Sequence, residues 1–306
     1  MPCSFGEKYM KKLISIILCA ILCASSAFAL CFTDANGRSV ELENPQSVVS
    51  LYDSYGAAWL AAGGELSGSI AENFAGEGLP EGVQNLGSIT APNLELLFKL
   101  EPDLVLLSGD VPSHKKLLPL LEDAGVSCAF FSTPDYTGYL EMMDLFCRIT
   151  GRNELYAAQL ERVQLPIEGM IAEAAALGKH PTALLIRANS SAVKCRSSES
   201  TVAGHILRDM GFVNLADGDS ALCESISMES IIISDPDYIF VVLQGNSIEA
   251  AGENLAALTG NPAWNSLSAV REGRYYILDR DLFHYHPNER WPEAYAFILE
   301  ILKGEK

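Results

Sequence analysis

One short element occurs twice in this chain, and that repetition limits what the chain can fold into more than any composition figure does. The stretch Asn93-Leu94-Glu95-Leu96-Leu97, closed by Pro102-Asp103-Leu104-Val105, returns 134 residues later as Ser227-Met228-Glu229-Ser230-Ile231, closed by Pro236-Asp237-Tyr238-Ile239. Each copy predicts a short capped helix, a proline that cannot continue it, then an aspartate and a buried strand. Two copies in register predict two halves of like construction. Around them, apolar or β-branched runs at 48–51, 104–107, 128–131, 183–186, 238–243 and 275–278 alternate with segments of helical period. That alternation predicts α/β layers with mainly parallel sheet.

Between the two copies, residues 152–177 carry Leu155, Ala158, Leu160, Val163, Ile167, Met170, Ile171 and Ala174 at mostly three- and four-residue steps, with Gly151 before and Gly178 after. The spacing predicts one long helix of ~39 Å, enough to run from one half to the other. Pro166 predicts a kink near Val163; the alternative is two short core helices broken there. Both readings divide the chain at this point: an N-terminal α/β lobe over 30–150, a connecting helix over 151–178, and a C-terminal α/β lobe with a closing helix over 179–306.

Residues 1–29 place Lys8, Lys11 and Lys12 ahead of an apolar run at 13–24 and end in Ala27-Phe28-Ala29, the pattern of a secretory signal peptide cleaved after Ala29. Met10 is an alternative start. Cys19, Cys23 and Cys31 each follow Leu rather than a small residue, so a lipid anchor is not expected. No later stretch reaches the ~18 apolar residues of a membrane span. The expected product is exported to the periplasm or cell surface. Cys31, Cys128, Cys147, Cys195 and Cys223 remain after cleavage; with no CxxC among them, a zinc knuckle or thioredoxin-like site is disfavoured. A formal charge of −18 excludes nucleic acid as a partner, because a phosphate-tracking surface needs clustered cations.

The chain resembles the solute-binding proteins of the iron-siderophore, haem and cobalamin ABC importers. The resemblance covers essentially the whole mature chain. It is carried by Phe32-Thr33-Asp34-Ala35-Asn36-Gly37-Arg38, residues 47–51, Asn85-Leu86-Gly87, both Pro-Asp strands, Pro262-Ala263-Trp264, Ala269-Val270-Arg271-Glu272-Gly273-Arg274 and a closing helix from Trp291. It implies two α/β lobes joined by one long helix, a ligand cleft between them and modest closure. It also implies that Glu95 and Glu229, on the outer faces of the lobes, meet arginines of a membrane permease. The chain is expected to act as a monomer with no covalent cofactor, and to carry an iron-siderophore, haem or corrinoid.

Ligands of two-lobed α/β proteins sit beyond the carboxyl ends of the strands. In the first lobe this selects Tyr52, Ser54, Tyr55, Ser88 and Ser108 as ligand-binding candidates, with Asp53, Thr90 and Asp110 nearby. In the second it selects Arg187, Arg196 and Gln244, then Phe283, His284, Tyr285 and Arg290; Lys194 adds a third cation in an acidic chain, which an anionic chelate or propionate would need. Trp59, four residues after Tyr55, is expected in the core. His284 and His286, two apart in a stretch read as extended, would share a side and are the weak candidates for a metal. No metal site is assigned, since His114, His180 and His205 show no supporting spacing.

Two alternatives remain. A Zn- or Mn-binding protein of related fold would need several converging His, Asp and Glu residues. An exported two-lobed enzyme such as a chelatase would fit the architecture, but there is no GxSxG, GxxxxGK[ST] or GxGxxG motif.

Overall fold

The computed structural model describes residues 30–70, 78–218, 222–223, 226–245 and 247–304. The signal segment 1–29, its cleavage site and Met10 lie outside the described residues. A hairpin of β1 (Leu30–Thr33) and β2 (Ser39–Leu42) opens the chain. The first sheet combines β3 (Val48–Ser50), β4 (Gly68–Ser69) and β5 (Gln84–Asn85) with two later strands. A small hairpin, β6 (Gly87–Ser88) and β7 (Ala91–Pro92), intervenes before β8 (Leu104–Ser108) and β9 (Ser127–Phe131) complete it. The order is β5-β4-β3-β8-β9, parallel throughout.

The second sheet is built from β10 (Thr182–Ala188), β11 (Val193–Cys195), β12 (Val213–Asn214), β13 (Tyr238–Leu243) and β14 (Tyr275–Leu278). Its order is β11-β10-β13-β14, with β12 also beside β10; β11 alone is antiparallel to its neighbour. All six apolar runs of the sequence become strands of these two sheets.

Each sheet is covered on both faces, which is why its central strands are continuous apolar runs and not alternating ones. The two faces lead to different places. Leu104 and Leu106 of β8, Ala129 and Phe131 of β9, Ala183 and Leu185 of β10, and Phe240 and Val242 of β13 all enter one shared inner core. Their alternates, such as Val105 and Phe130 or Leu184 and Val241, fill a separate outer core in each lobe. Val163, Ile167 and Ala174 of the helix between the lobes belong to the inner core, as do Trp291, Tyr295 and Ile298 of the closing helix Trp291–Lys303.

The connecting helix runs through Asn153–Gln159, a π turn at Leu160–Gln164, and Leu165–Ala176. The helix is not broken in two at Pro166; a π turn over Leu160–Gln164 stands where a kink near Val163 was expected. Proline has no N–H for the carbonyl four residues back, and the preceding turn widens so that Leu165 N–H donates to Leu160 O. No helix of the described residues is long and apolar enough to cross a membrane.

The duplicated element folds alike in both lobes. Asn93 Oδ1 caps the helix Leu94–Lys99 by accepting from Leu96 N at 3.0 Å, and Ser227 Oγ caps Met228–Ser234 by accepting from Ser230 N at 3.1 Å. Leu97 and Ile231 anchor the two helices in the outer cores. Glu101 and Asp235 then take left-handed backbone, φ +46° and +31°, to reverse the chain before the proline. The aspartates that follow make equivalent bonds. Asp103 Oδ2 accepts from Gln46 N and Ser47 N at 2.8 and 2.9 Å, while Asp237 Oδ2 accepts from Thr182 N and Oγ1 at 2.8 and 2.7 Å. Each ties the start of its own strand to the start of the neighbouring parallel strand.

Replacing Asp237 with Ala removes both bonds and leaves Thr182 N–H without its acceptor. The expected cost is about 1–3 kcal/mol of unfolding free energy, measured by urea denaturation. A loss under ~0.5 kcal/mol would show that the aspartate does not hold the strand pair together.

Candidate ligand-binding cleft

At the carboxyl end of β3, Ser50 Oγ donates to Tyr52 O at 2.6 Å and turns the chain into the helix Asp53–Ala61. The Tyr52 ring lies half-buried, 4.6 Å from that of Tyr55, and both meet the His286 ring of the second lobe at 5.4 and 5.8 Å. Burial, then the neighbouring Tyr55 and Asp53, hold the Tyr52 hydroxyl well above the usual phenol range. Tyr55 is fully buried and its hydroxyl donates to Phe131 O at 3.1 Å, so it backs Tyr52. Trp59 packs edge-on against Phe146 in the core. Ser54 is buried, and its carbonyl accepts from Asn288 Nδ2 at 2.9 Å, a bond between the lobes.

Two further first-lobe candidates are held by a residue that sequence reasoning passed over. His114 is fully buried; its Nδ1 accepts from Ser108 N at 2.9 Å and its Nε2–H donates to Ile89 O at 3.0 Å. It therefore fastens the end of β8 to the turn of the β6–β7 hairpin, where Ser88 Oγ accepts from Ala91 N at 3.2 Å. The signal was present: His114, Leu117, Leu118 and Leu121 fall at 0, 3, 4 and 7 along the helix Pro112–Asp123, the buried face of that helix.

The second lobe supplies cations. Arg187, near the end of β10, donates from Nη1 to Gln244 Oε1 at 3.1 Å. Burial and then the Arg196 charge push its guanidinium down to about 10. Arg187 and Arg196 share the lining of a small pocket with Thr201, Phe283 and His284. Gly204 permits this arrangement, since a Cβ there would lie 2.4 Å from Ser198 O in the loop that follows Arg196. Arg280, just past β14, lies 4.8 Å over the Tyr285 ring and donates to its hydroxyl. Arg280 was not among the expected residues, although the strand-end rule that selected Arg187 also reaches it. His284 is pushed down to about 3 by burial and then by Arg187, His286 and Arg280.

Phe283 is buried against Phe297 at 5.7 Å, and Arg290 is exposed and paired with Glu293 at 2.9 Å. The segment holding His284 and His286 is not extended. The helix Arg280–Phe283 ends at His284 and a 3₁₀ turn begins at Asn288, so the alternation expected of a strand does not apply. His286 packs on Tyr52 and Tyr55, while His284 stacks on Tyr285 at 4.8 Å. Among the described residues, no group of three or more His, Cys, Asp or Glu could hold a metal ion. Ser54, Tyr285, His286 and Arg290 line a cavity of about 500 Å³ between the helix Asp53–Ala61 and the segment 281–290. Glu95 and Glu229 are both exposed, each at the second position of its capped helix.

Three of the four arginines without a carboxylate partner among the described residues belong to the second lobe's cleft side; the fourth, Arg271, donates to Ser268 Oγ. Arg38, Arg208 and Arg274 are among the arginines held within 4 Å of a carboxylate. Among the described residues, Arg187, Arg196 and Arg280 have no such partner, in a chain with 39 acidic residues to choose from.

Residues 48–282 match the model of a family described as periplasmic binding protein. The Fe(3+)-citrate-binding protein YfmC of Bacillus subtilis is 27% identical over 205 residues, which are 64% of this chain and 60% of that protein. The petrobactin-binding protein YclQ of the same organism is 23% identical over 260 residues, 80% of this chain and 78% of its own. Among solved structures, an ABC transporter substrate-binding protein from Listeria monocytogenes superposes with a TM-score of 0.72 at 19% identity, covering 85% of this chain and 99% of that one. The haem complex of Staphylococcus aureus IsdE gives 0.70 at 16% identity, covering 84% and 98%. These likenesses show the two-lobed fold.

His114, His284 and His286 are all pushed down by burial first, to about 4, 3 and 4. In the unfolded chain they take up protons near ~6.5. The unfolded state therefore binds more protons through this interval, and stability falls as pH drops from ~6.5 toward 4, by up to ~1.4 kcal/mol per pH unit for each histidine. Urea unfolding at several pH values measures that slope, and His114→Gln makes it shallower by about one proton.

Proposed function

This chain belongs to the periplasmic binding protein family, and on that premise we propose that it is the extracytoplasmic substrate-binding subunit of an ABC importer for an anionic ferric chelate. The observation that carries the ligand class is the group of three cleft arginines without carboxylates. Two neighbouring half-buried guanidiniums, with Arg187 lowered by burial and then by the Arg196 charge, are costly to keep without an anion. A ligand bearing several carboxylate, catecholate or hydroxamate oxygens would satisfy them with charge-assisted bonds. A corrinoid, which presents mainly neutral amides, would leave them unmatched. Relatives named for ferric citrate and petrobactin are consistent with this reading.

In the proposed mechanism, residues 30–150 and 179–306 form the lobes and 151–178 the spacer. The chelate bridges Tyr52 and the first-lobe loops to Arg187, Arg196 and Arg280. The closed form gains population because it contacts both faces. His284, kept neutral by burial and then by its cationic neighbours, can hydrogen-bond the ligand without adding charge. Glu95 and Glu229 present the loaded form to the permease. The chain's role is capture and delivery without turnover.

Titration of the purified protein with ferric citrate, haem and cobalamin tests the ligand class. Ferric citrate is expected to bind stoichiometrically, and Arg187→Ala with Arg196→Ala to weaken it by about 100-fold or more. Tighter binding of cobalamin, or an affinity untouched by the double variant, would remove the basis of the proposal. Reversing both Glu95 and Glu229 to Arg is expected to abolish uptake by permease-containing proteoliposomes while leaving ferric citrate affinity intact.

A further inference from the structure

The two copies of the duplicated element are equivalent position by position, and the equivalence exposes a difference between them. Asn93 and Ser227 cap, Leu97 and Ile231 anchor, and Glu101 and Asp235 reverse the chain with positive φ. Glu95 and Glu229 are therefore corresponding residues on corresponding helices. One turn beyond Glu95 stands Lys99, an exposed cation at the i+4 position of the same helix. One turn beyond Glu229 stands Ile233, 78% exposed, beside Ile232 at 41%. In the first lobe the position matching Ile232 is Phe98, which is partly buried against the outer core.

Ile232 and Ile233 lie three and four residues after Glu229, so all three share one face of the helix Met228–Ser234. Two adjacent exposed isoleucines on a short helix carry an unfavourable hydration cost that folding alone does not require. Ile231 already holds this helix to its lobe. A second copy of the chain is a poor occupant for the patch, since each copy brings a net charge of −18 to the contact. A surface with a cation for Glu229 bordered by apolar side chains complements it in both charge and hydropathy.

We infer that Glu229, Ile232 and Ile233 form a mixed acidic and apolar docking surface for the importer's permease, and that the second lobe is thereby gripped differently from the first. The inference rests on the docking reading of Glu95 and Glu229. It adds that the two lobes are not interchangeable: the first offers Glu95 with Lys99, a polar contact, and the second offers Glu229 with desolvatable apolar surface. Such a difference would set which lobe faces which half of the permease.

The test uses the full-length mature protein, ferric citrate as ligand and proteoliposomes holding the permease. Ile233→Lys installs at this position the residue the first lobe already carries, at a surface site where folding should tolerate it; Ile232→Ser with Ile233→Ser is the second variant. Both are expected to keep ferric citrate affinity within about twofold and to lower uptake and permease affinity by about tenfold or more. Wild-type uptake in both variants, with uptake lost in the Glu95 and Glu229 double reversal, would overturn the apolar surface and leave the glutamate docking standing. Wild-type uptake in all of these variants would overturn the docking reading itself. Uptake unchanged together with loss of a concentration-dependent dimer in sedimentation would assign the patch to self-association and likewise overturn the proposal.

Discussion

The shared inner core is the constraint on which the rest of the molecule depends. Alternate residues of β8 and β9 in one lobe and of β10 and β13 in the other point into the same apolar cluster as the connecting and closing helices. A lobe pulled away from its partner as a free unit would expose that face to water, so the two sheets are held to a common spine. Burial of this kind is non-directional and scales with area. It fixes the lobes to the helices strongly, while the cleft ends meet through a few specific contacts such as Asn288 with Ser54 and His286 with Tyr52. Closure over a ligand is therefore expected to be small, and the recognition surface largely preformed.

Electrostatics divide the molecule in a second way. Seven of the eleven arginines are paired with carboxylates, mostly on the surface, where such pairs add little to stability. Of the other four, Arg187, Arg196 and Arg280 lie on the second-lobe side of the cleft, where burial raises the cost of a guanidinium without a partner, and Arg271 lies on the helix Ser268–Arg271. First-lobe residues at the cleft are aromatic, such as Tyr52 and Tyr55, or small and polar, with Asp53 and Asp110 among them, and the hydroxyls of Tyr55 and Ser50 are committed to backbone. The lobes are thus unlike at the candidate cleft and alike where the duplicated element sits, and even there Lys99 and Ile233 separate them.

Much of the architecture could be read from residue order. The six strands were visible as apolar runs because sheets buried on both faces tolerate no polar alternation. The Pro-Asp repeat announced two like lobes, and its logic is local: cap, anchor, reversal, and an aspartate reaching the next strand. The distortion ahead of Pro166 was expected near Val163, but its form, a widening into a π turn over Leu160–Gln164, was not legible. Whether a turn can widen depends on what Val163 and Ile167 pack against, which no local pattern records. For the same reason Tyr55 and Phe283, chosen by position at strand ends, lie in buried apolar surroundings, and the His284 to His286 stretch proved to be a turn.

By itself, then, the sequence determined the class of fold, the duplicated construction and the excess of acidic charge, because all of these follow from periodicity, punctuation and counting. Tertiary structure alone decided which cations lack a carboxylate, that Arg280 joins Arg187 and Arg196, that His114 clasps two loops of the cleft edge, and that Ile233 rather than Ile231 meets water. Each of those outcomes turns on distances between residues far apart in the chain. Pairing and burial are set by what the folded surroundings leave within reach.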